Sequence, residues 1–346
     1  MATKGIYIYG IVPNFYSTDM FRSLESSGVY VISFQNISAI VSDREGLHLE
    51  SLDRESLGYL LVHHQKTIED IMSKGFNMFI PMKLGTIVSN KAEVNKILTN
   101  GLDLIIETLK KIEYLTEIDL VVTWADFSTI IQEIANHSDI IALKEEILKS
   151  VETPSQINQV KVGMLIQEKL NAKNKKVELN ILDCLAAFSL DIKTHEVMND
   201  EMVTNSAFLL NGNKRDKFEL AIDQLDQEYN GKLNFKLVGP LPCYSFYTFE
   251  VKALNPDAVL LAKNELGLGE ETSDVEIKKA FLGKARLFHP DVHSENGDEE
   301  NFNRINKAYH ILLDYAMAAK QSSKKDVISL SNEIVNKNQI LVKIKE

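Results

Sequence analysis

Residues 274–313 constrain this chain more than any other stretch. Two runs of helical hydrophobic spacing flank a polar segment that carries His289-Pro290-Asp291. Just before the first run, Thr272-Ser273-Asp274-Val275-Glu276 reads as a capping box. Ser273 is the N-cap, and Glu276 reaches back to it. Ile277, Ala280, Phe281, Ala285 and Phe288 then form one apolar stripe at the 3.6-residue period. Phe302, Ile305, Tyr309 and Leu312 form a second. Two such stripes joined by a loop pack as an antiparallel hairpin, which places the tripeptide at its tip.

The rest of the chain supports an α+β class. Its 346 residues provide for two or three domains. The 16 glycines and 7 prolines fall well below the usual share of about 12%, which excludes collagen-like and Pro/Gly-rich disordered chains. Residues 5–12 (GIYIYGIV) read as a strand, and 29–34 with 37–42 as a hairpin around Gln35-Asn36. A helix is expected over about 53–73 and another over 91–112. Between them, 78–88 reads as a strand that Pro81 confines to an edge or a bulge. Residues 117–124 (EIDLVVTW) read as the last strand of this first region.

Residues 126–195 are strongly helical, broken at Thr153-Pro154-Ser155, where Ser155 suits the N-cap of the next helix. A second α+β unit follows. Its strand at 202–210, helix at 213–229, and strands at 232–238 and 245–251 suit a small ferredoxin-like sheet. The expected division is an N-terminal α+β domain (1–125), a helical segment plus ferredoxin-like domain (126–253), a helical hairpin domain (254–319) and a polar tail (320–346). In the tail, the alternating run at 339–344 either adds a strand to the second domain's sheet or stays free. Trp124 is expected beneath the N-terminal sheet and Cys184 in a helical core.

Several function classes fall away. A net charge of −11 repels the phosphate backbone, so nucleic acid is not an expected partner. Two widely separated cysteines offer neither a disulfide framework nor a Cys-based zinc site. No apolar stretch reaches about 18 residues, so no membrane span is expected. The N-terminus lacks a signal-peptide pattern, and the expected location is cytoplasmic. Adjacent His63 and His64 point to different helix faces and read as polar surface, not a metal site. No phosphate-loop, dinucleotide or nucleophile-elbow motif occurs, so no enzyme activity, cofactor or metal is expected.

Residues 256–314 resemble a J-domain, the DnaJ-type module that activates DnaK-type ATPase chaperones. The resemblance rests on Leu266-Gly267-Leu268, EIKKAF (276–281), ARLFHPD (285–291) and FNRINKAYHILLD (302–314). It implies that His289, Pro290 and Asp291 are the activating tripeptide, with Asp291 presenting a carboxylate to a chaperone arginine. It also implies that Lys278, Lys279 and Arg286 dock on an acidic chaperone surface. Leu282 and Gly283 occupy outward positions that are usually basic, and Lys284 an inward position that is usually apolar.

The first 250 residues are similar to the GvpF/GvpL family of gas vesicle proteins. IYIYGIV, FIPMKLGT (79–86), MVTNSAFLL (202–210) and GPLPCYSF (239–246) carry the similarity in order. Lys83 and Leu84 replace the usual Arg and Phe, and Leu241 and Cys243 depart from the last segment's usual residues. The two resemblances imply a non-enzymatic gas vesicle assembly factor at the gas vesicle. Its partners would be a DnaK-type chaperone, the hydrophobic shell protein and other gas vesicle proteins. The alternatives are a co-chaperone for an unrelated client and a minor structural component of the vesicle. Leu241, Tyr244 and Phe246 are the candidate client contacts; the competing reading of that turn is a buried one between domains.

Overall fold

The computed structural model describes residues 4–25, 28–45, 53–150, 156–288, 298–323, 325–336 and 339–345. The chain divides into two compact units. One joins Met1–Glu113 with Tyr247–Glu346, and the other is Tyr114–Phe246.

The first unit opens with β1 (Lys4–Pro13), α1 (Thr18–Glu25), β2 (Tyr30–Phe34), β3 (Ile37–Glu45) and α2 (Arg54–Ser73). The short strands β4 (Ile80–Pro81) and β5 (Ile87–Val88) follow, then α3 (Lys91–Asn100) and α4 (Leu102–Ile112). The sheet order is β2-β3-β1-β4, and β5 continues the β4 edge along β1. The expected hairpin is β2–β3, turning at Gln35. Pro81 lies on the edge strand, where its missing N–H leaves no gap in a ladder. Every residue from Ile6 to Val12 is buried, so both faces of β1 are covered. Gly10 sits at a bulge in β1, and a β-carbon there would stand 2.2 Å from the Phe79 ring.

One expected helix is two. The run at 91–112 breaks at Gly101, where a β-carbon would lie 3.0 Å from Val342 Cγ1. The histidine pair also differs from expectation. His64 is buried and its Nδ1 hydrogen-bonds with the Tyr7 hydroxyl (2.8 Å), which also accepts from the Gly85 amide (3.1 Å). Tyr7 and Tyr9 form a pocket around the imidazole, which a helical-wheel reading of α2 alone does not show.

The second unit contains β6 (Leu115–Trp124), α5 (Phe127–Ala135), α6 (Ser138–Ser150), α7 (Gln156–Ala186), β7 (Asp191–Thr194), β8 (Met202–Asn211), α8 (Arg215–Tyr229), β9 (Leu233–Leu241) and most of α9 (Tyr244–Tyr247). Its sheet is antiparallel with order β7-β8-β6-β9, the ferredoxin-like arrangement. The first strand of that arrangement is β6, expected in the N-terminal domain. The boundary therefore falls at Glu113, not at residue 125. Trp124 accordingly packs in this second core, its indole N–H donating to Asn174 (2.7 Å). Cys184 is exposed, because Ile181 and Leu185 take the buried stripe of α7. Ser155 lies outside the described residues.

The chain then returns to the first unit through β10 (Phe249–Ala253), α10 (Pro256–Leu266), β11 (Glu271–Thr272), α11 (Asp274–Phe288) and α12 (Asp298–Ser323). The expected strand at 245–251 begins only at Phe249, since residues 244–247 are helical. The described residues of the tail include β12 (Ile328–Ser329), α13 (Asn332–Val335) and β13 (Ile340–Ile344). β13 pairs with β10 and β12 with β11. Among the described residues, no helix is long and apolar enough to cross a membrane.

Burial, and secondarily the nearby His63, lower the His64 pKa from 6.5 to about 4. The unfolded chain takes up this proton first, so the contribution is intact above pH 6.5 and is lost progressively down to about pH 4. Urea unfolding should show stability falling over that window, by at most about 1.4 kcal/mol per pH unit from this group. His64→Gln should flatten the dependence; equal slopes in both proteins would rule the imidazole out as its source.

Candidate functional site

Local signals set the frame of the helical hairpin. Asn255 caps α10, accepting from the amides of Asp257 (2.9 Å) and Ala258 (3.4 Å), with Pro256 in the first turn. Gly267 ends α10 in the left-handed region (φ 71°), as the Leu-Gly-Leu break requires. The capping box ahead of α11 forms: Ser273 N donates to Glu276 (2.9 Å), and Glu276 N to Ser273 Oγ (3.4 Å). The apolar stripes meet as expected. Ile277, Ile305, Ala308 and Leu312 are buried together, and the rings of Phe281 and Tyr309 stack with centroids 4.2 Å apart.

Lys284, the polar residue at an inward position, has a specific task. Its ammonium donates to the Glu265 carbonyl in the last turn of α10. That carbonyl is among those a helix end leaves unsatisfied, and a cation is favourable there. Lys278, Lys279 and Arg286 are all exposed along α11, as are Leu282 and Gly283. Three cations thus line the solvent side of one helix. His289, Pro290 and Asp291 lie outside the described residues; in sequence they follow directly on the last turn of α11.

The GPLPCYSF turn is built around a buried carboxylate. Glu117 on β6 is 1% exposed and accepts two bonds from Ser245, from its amide and its hydroxyl, each 2.8 Å. His195 Nε2 lies 3.2 Å from the same hydroxyl. Asp119, two residues along the strand, is on the same face and shares a hydrogen bond with Glu117; its Oδ1 is buried without a hydrogen-bond partner. Burial and the neighbouring carboxyl raise the Glu117 pKa, so the pair retains a proton. Burial also pushes the Cys243 thiol up to about 12, which makes it a packing residue and not a nucleophile. Gly239 (φ 155°) admits the turn, because a β-carbon there would stand 3.0 Å from the Glu117 carbonyl.

The three candidate client contacts of the turn differ in burial. Phe246 is buried, with Lys193 over its ring, and Leu241 and Tyr244 are half-buried. The segment anchors a buried acid. Glu117, Asp119 and His195 were not singled out from sequence. The signal available was Glu-x-Asp inside an otherwise apolar strand, two acids on one face.

Comparison with known proteins places these features. The family model described as "Gas vesicle synthesis protein GvpL/GvpF" matches residues 5–248, from β1 through the GPLPCYSF turn. The chain belongs to the GvpL/GvpF family. A DnaJ domain model matches residues 264–320, so this family member carries a J-domain. Gas vesicle protein F of Nostoc sp. (strain PCC 7120) is 21% identical over 70% of this chain and 98% of its own length. The chaperone protein DnaJ of Synechococcus sp. (strain JA-2-3B'a(2-13)) is 46% identical over 55 residues, 16% of this chain and 14% of that DnaJ. The crystal structure of GvpF from Anabaena sp. PCC7120 shares the fold, with a TM-score of 0.55 at 20% identity over 70% of this chain and 97% of that one. GvpF from Microcystis aeruginosa gives 0.50 at 18% identity, over 67% and 94%.

Because the pKa of Glu117 is raised, its contribution is complete below the unfolded value of 4.5 and is lost as pH rises through the folded value. Glu117→Gln keeps an acceptor for Ser245 and removes the titration. Thermal unfolding should show Glu117→Gln less sensitive than the natural chain to raising the pH above 4.5. A natural chain whose Tm is insensitive to pH in that range would refute the protonated pair.

Proposed function

We propose that this protein is a gas vesicle assembly factor. It binds vesicle shell protein through its GvpL/GvpF region and recruits and activates a DnaK-type chaperone through its J-domain. The observation that carries this reading is the presence of both modules on one chain, with the cationic side of α11 exposed. A shell protein must be apolar on its gas-facing side, so before assembly it exposes surface that aggregates. Holding such a subunit next to a chaperone-activating module couples capture to ATP-driven release. Lys278, Lys279 and Arg286 would steer an acidic chaperone surface onto α11, an attraction that weakens with salt. Asp291 would then pair with a chaperone arginine. In this reading the protein works in the cytoplasm, at the growing vesicle, and performs no chemistry of its own.

Complementation in the native host tests the proposal. The gene is deleted, and vesicles are scored by buoyancy and electron microscopy. The natural chain should restore vesicles, whereas Asp291→Asn should leave at most about a tenth of the natural yield. The double reversal Lys278→Glu/Lys279→Glu should weaken binding to purified DnaK about tenfold or more, on the order of 1.4 kcal/mol. Full restoration by Asp291→Asn would instead support a minor structural component whose J-domain is idle. Normal vesicles in the deletion strain would overturn the gas vesicle role.

A further inference from the structure

The J-domain of this chain is flanked by two strands that pair with each other. It is entered through β10 and left through the segment 325–345, which includes β12, α13 and β13. That segment does two things at once. Ile328, Leu330, Val335 and Leu341 join the core of the helical hairpin. Hydrogen bonds reinforce this: Leu330 N donates to Glu270 O (2.6 Å), and the Tyr315 hydroxyl to Ser329 O (2.7 Å).

β13 also faces the other way. Neighbouring strand residues point to opposite sides. Leu341 enters the hairpin core, whereas Val342 faces the α3–α4 break, where Gly101 lacks the side chain that would collide with it. Asn100 Nδ2 donates to Ile340 O (3.2 Å) from the same break. β10 is held on the sheet side too, since Lys83 N donates to Phe249 O (2.7 Å) and the Lys83 ammonium pairs with Glu250. The two strands form a five-residue antiparallel ladder from Phe249↔Ile344 to Ala253↔Ile340. Asp314 on α12 pairs with Lys252 of β10 and lies 3.9 Å from Lys343 of β13.

We propose that residues 325–336 and 339–345 form a strap that locks the J-domain onto the N-terminal sheet domain in a single orientation. The strap lies along α10, α12 and the α3–α4 break and leaves Lys278, Lys279 and Arg286 exposed. A chaperone engaged on α11 is therefore delivered at a fixed position relative to the N-terminal sheet. This last consequence rests on the proposed function; the locking itself does not.

The test measures distances in the full chain. Exposed Cys184 is replaced by serine, and spin labels are placed at Tyr59→Cys on α2 and Val275→Cys on α11, positions 80% and 76% exposed. Electron–electron double resonance should give one narrow distance distribution. Val342→Asp, which puts a charge into the seam at Gly101, should broaden it at least twofold. Should that variant fail to fold by circular dichroism, Asp314→Lys places three cations together and reads the same seam. Hydrogen exchange on the unsubstituted chain is a check free of variants: the β10–β13 amides should exchange as slowly as those of β1–β3. A broad distribution in the labelled full chain with its seam intact, an unchanged narrow one in a folded seam variant, or fast exchange in β10–β13 would each overturn the strap. These readouts need neither shell protein nor chaperone, so their outcome is separate from that of the vesicle assay.

Discussion

The ladder between β10 and β13 is the constraint on which the first unit depends. It is only five residues long, yet it joins segments from three parts of the sequence. β10 bonds to the loop after β4, β13 lies on the α3–α4 break, and both flank the helical hairpin. A two-stranded ribbon alone is marginal in water. This one persists because Phe249, Leu341 and Val342 are fully buried, Leu341 in the hairpin core and Val342 against Gly101. Burial of an apolar side chain of that size is worth about 1.5–3 kcal/mol.

The second unit is organised around a different kind of interaction. A buried acid is expensive unless it is neutralised or well hydrogen-bonded. Glu117 meets that requirement with two donors from Ser245 and a proton shared with Asp119. The serine of GPLPCYSF and the acids of EIDL are thus one structural device, separated by some 130 residues and joined across the end of β9. A polar tie of this type also specifies register, because sliding the turn by one residue would leave the carboxylate without donors.

Much of this was legible from residues, and the failures share a cause. The hairpin, the capping box, the Leu-Gly-Leu break and the two apolar stripes depend on neighbours within a few positions, and all form as expected. The edge position of Pro81 and the β2–β3 hairpin are local in the same sense. The misplacements were long-range. β6 follows α4 directly and reads as part of the first sheet, but pairing with β8 and β9 takes it into the second. Gly101 looks like an ordinary weak point in a helix until Val342, more than 200 residues away, is seen against it. His64 reads as surface on its helix because Tyr7 and Tyr9, which enclose it, come from another element. For the candidate site, the helix that exposes Lys278, Lys279 and Arg286 follows from spacing and their proposed docking role from the J-domain resemblance, whereas the acid cluster beneath the GPLPCYSF turn needed the tertiary structure.

The split of the first unit has a consequence for biosynthesis. Its opening 113 residues precede the second unit, but the strand that lies on the α3–α4 break is made only after the whole second unit and the helical hairpin. At translation rates of about 5–20 residues per second, the ribosome needs on the order of ten seconds or more to travel from Gly101 to Val342. Throughout that interval the nascent chain shows an unfilled seam beside α3, while the self-contained ferredoxin-like unit is free to fold as soon as it emerges. The first unit therefore closes only after β13 has emerged, so a chain truncated before β13 has a first unit that cannot close.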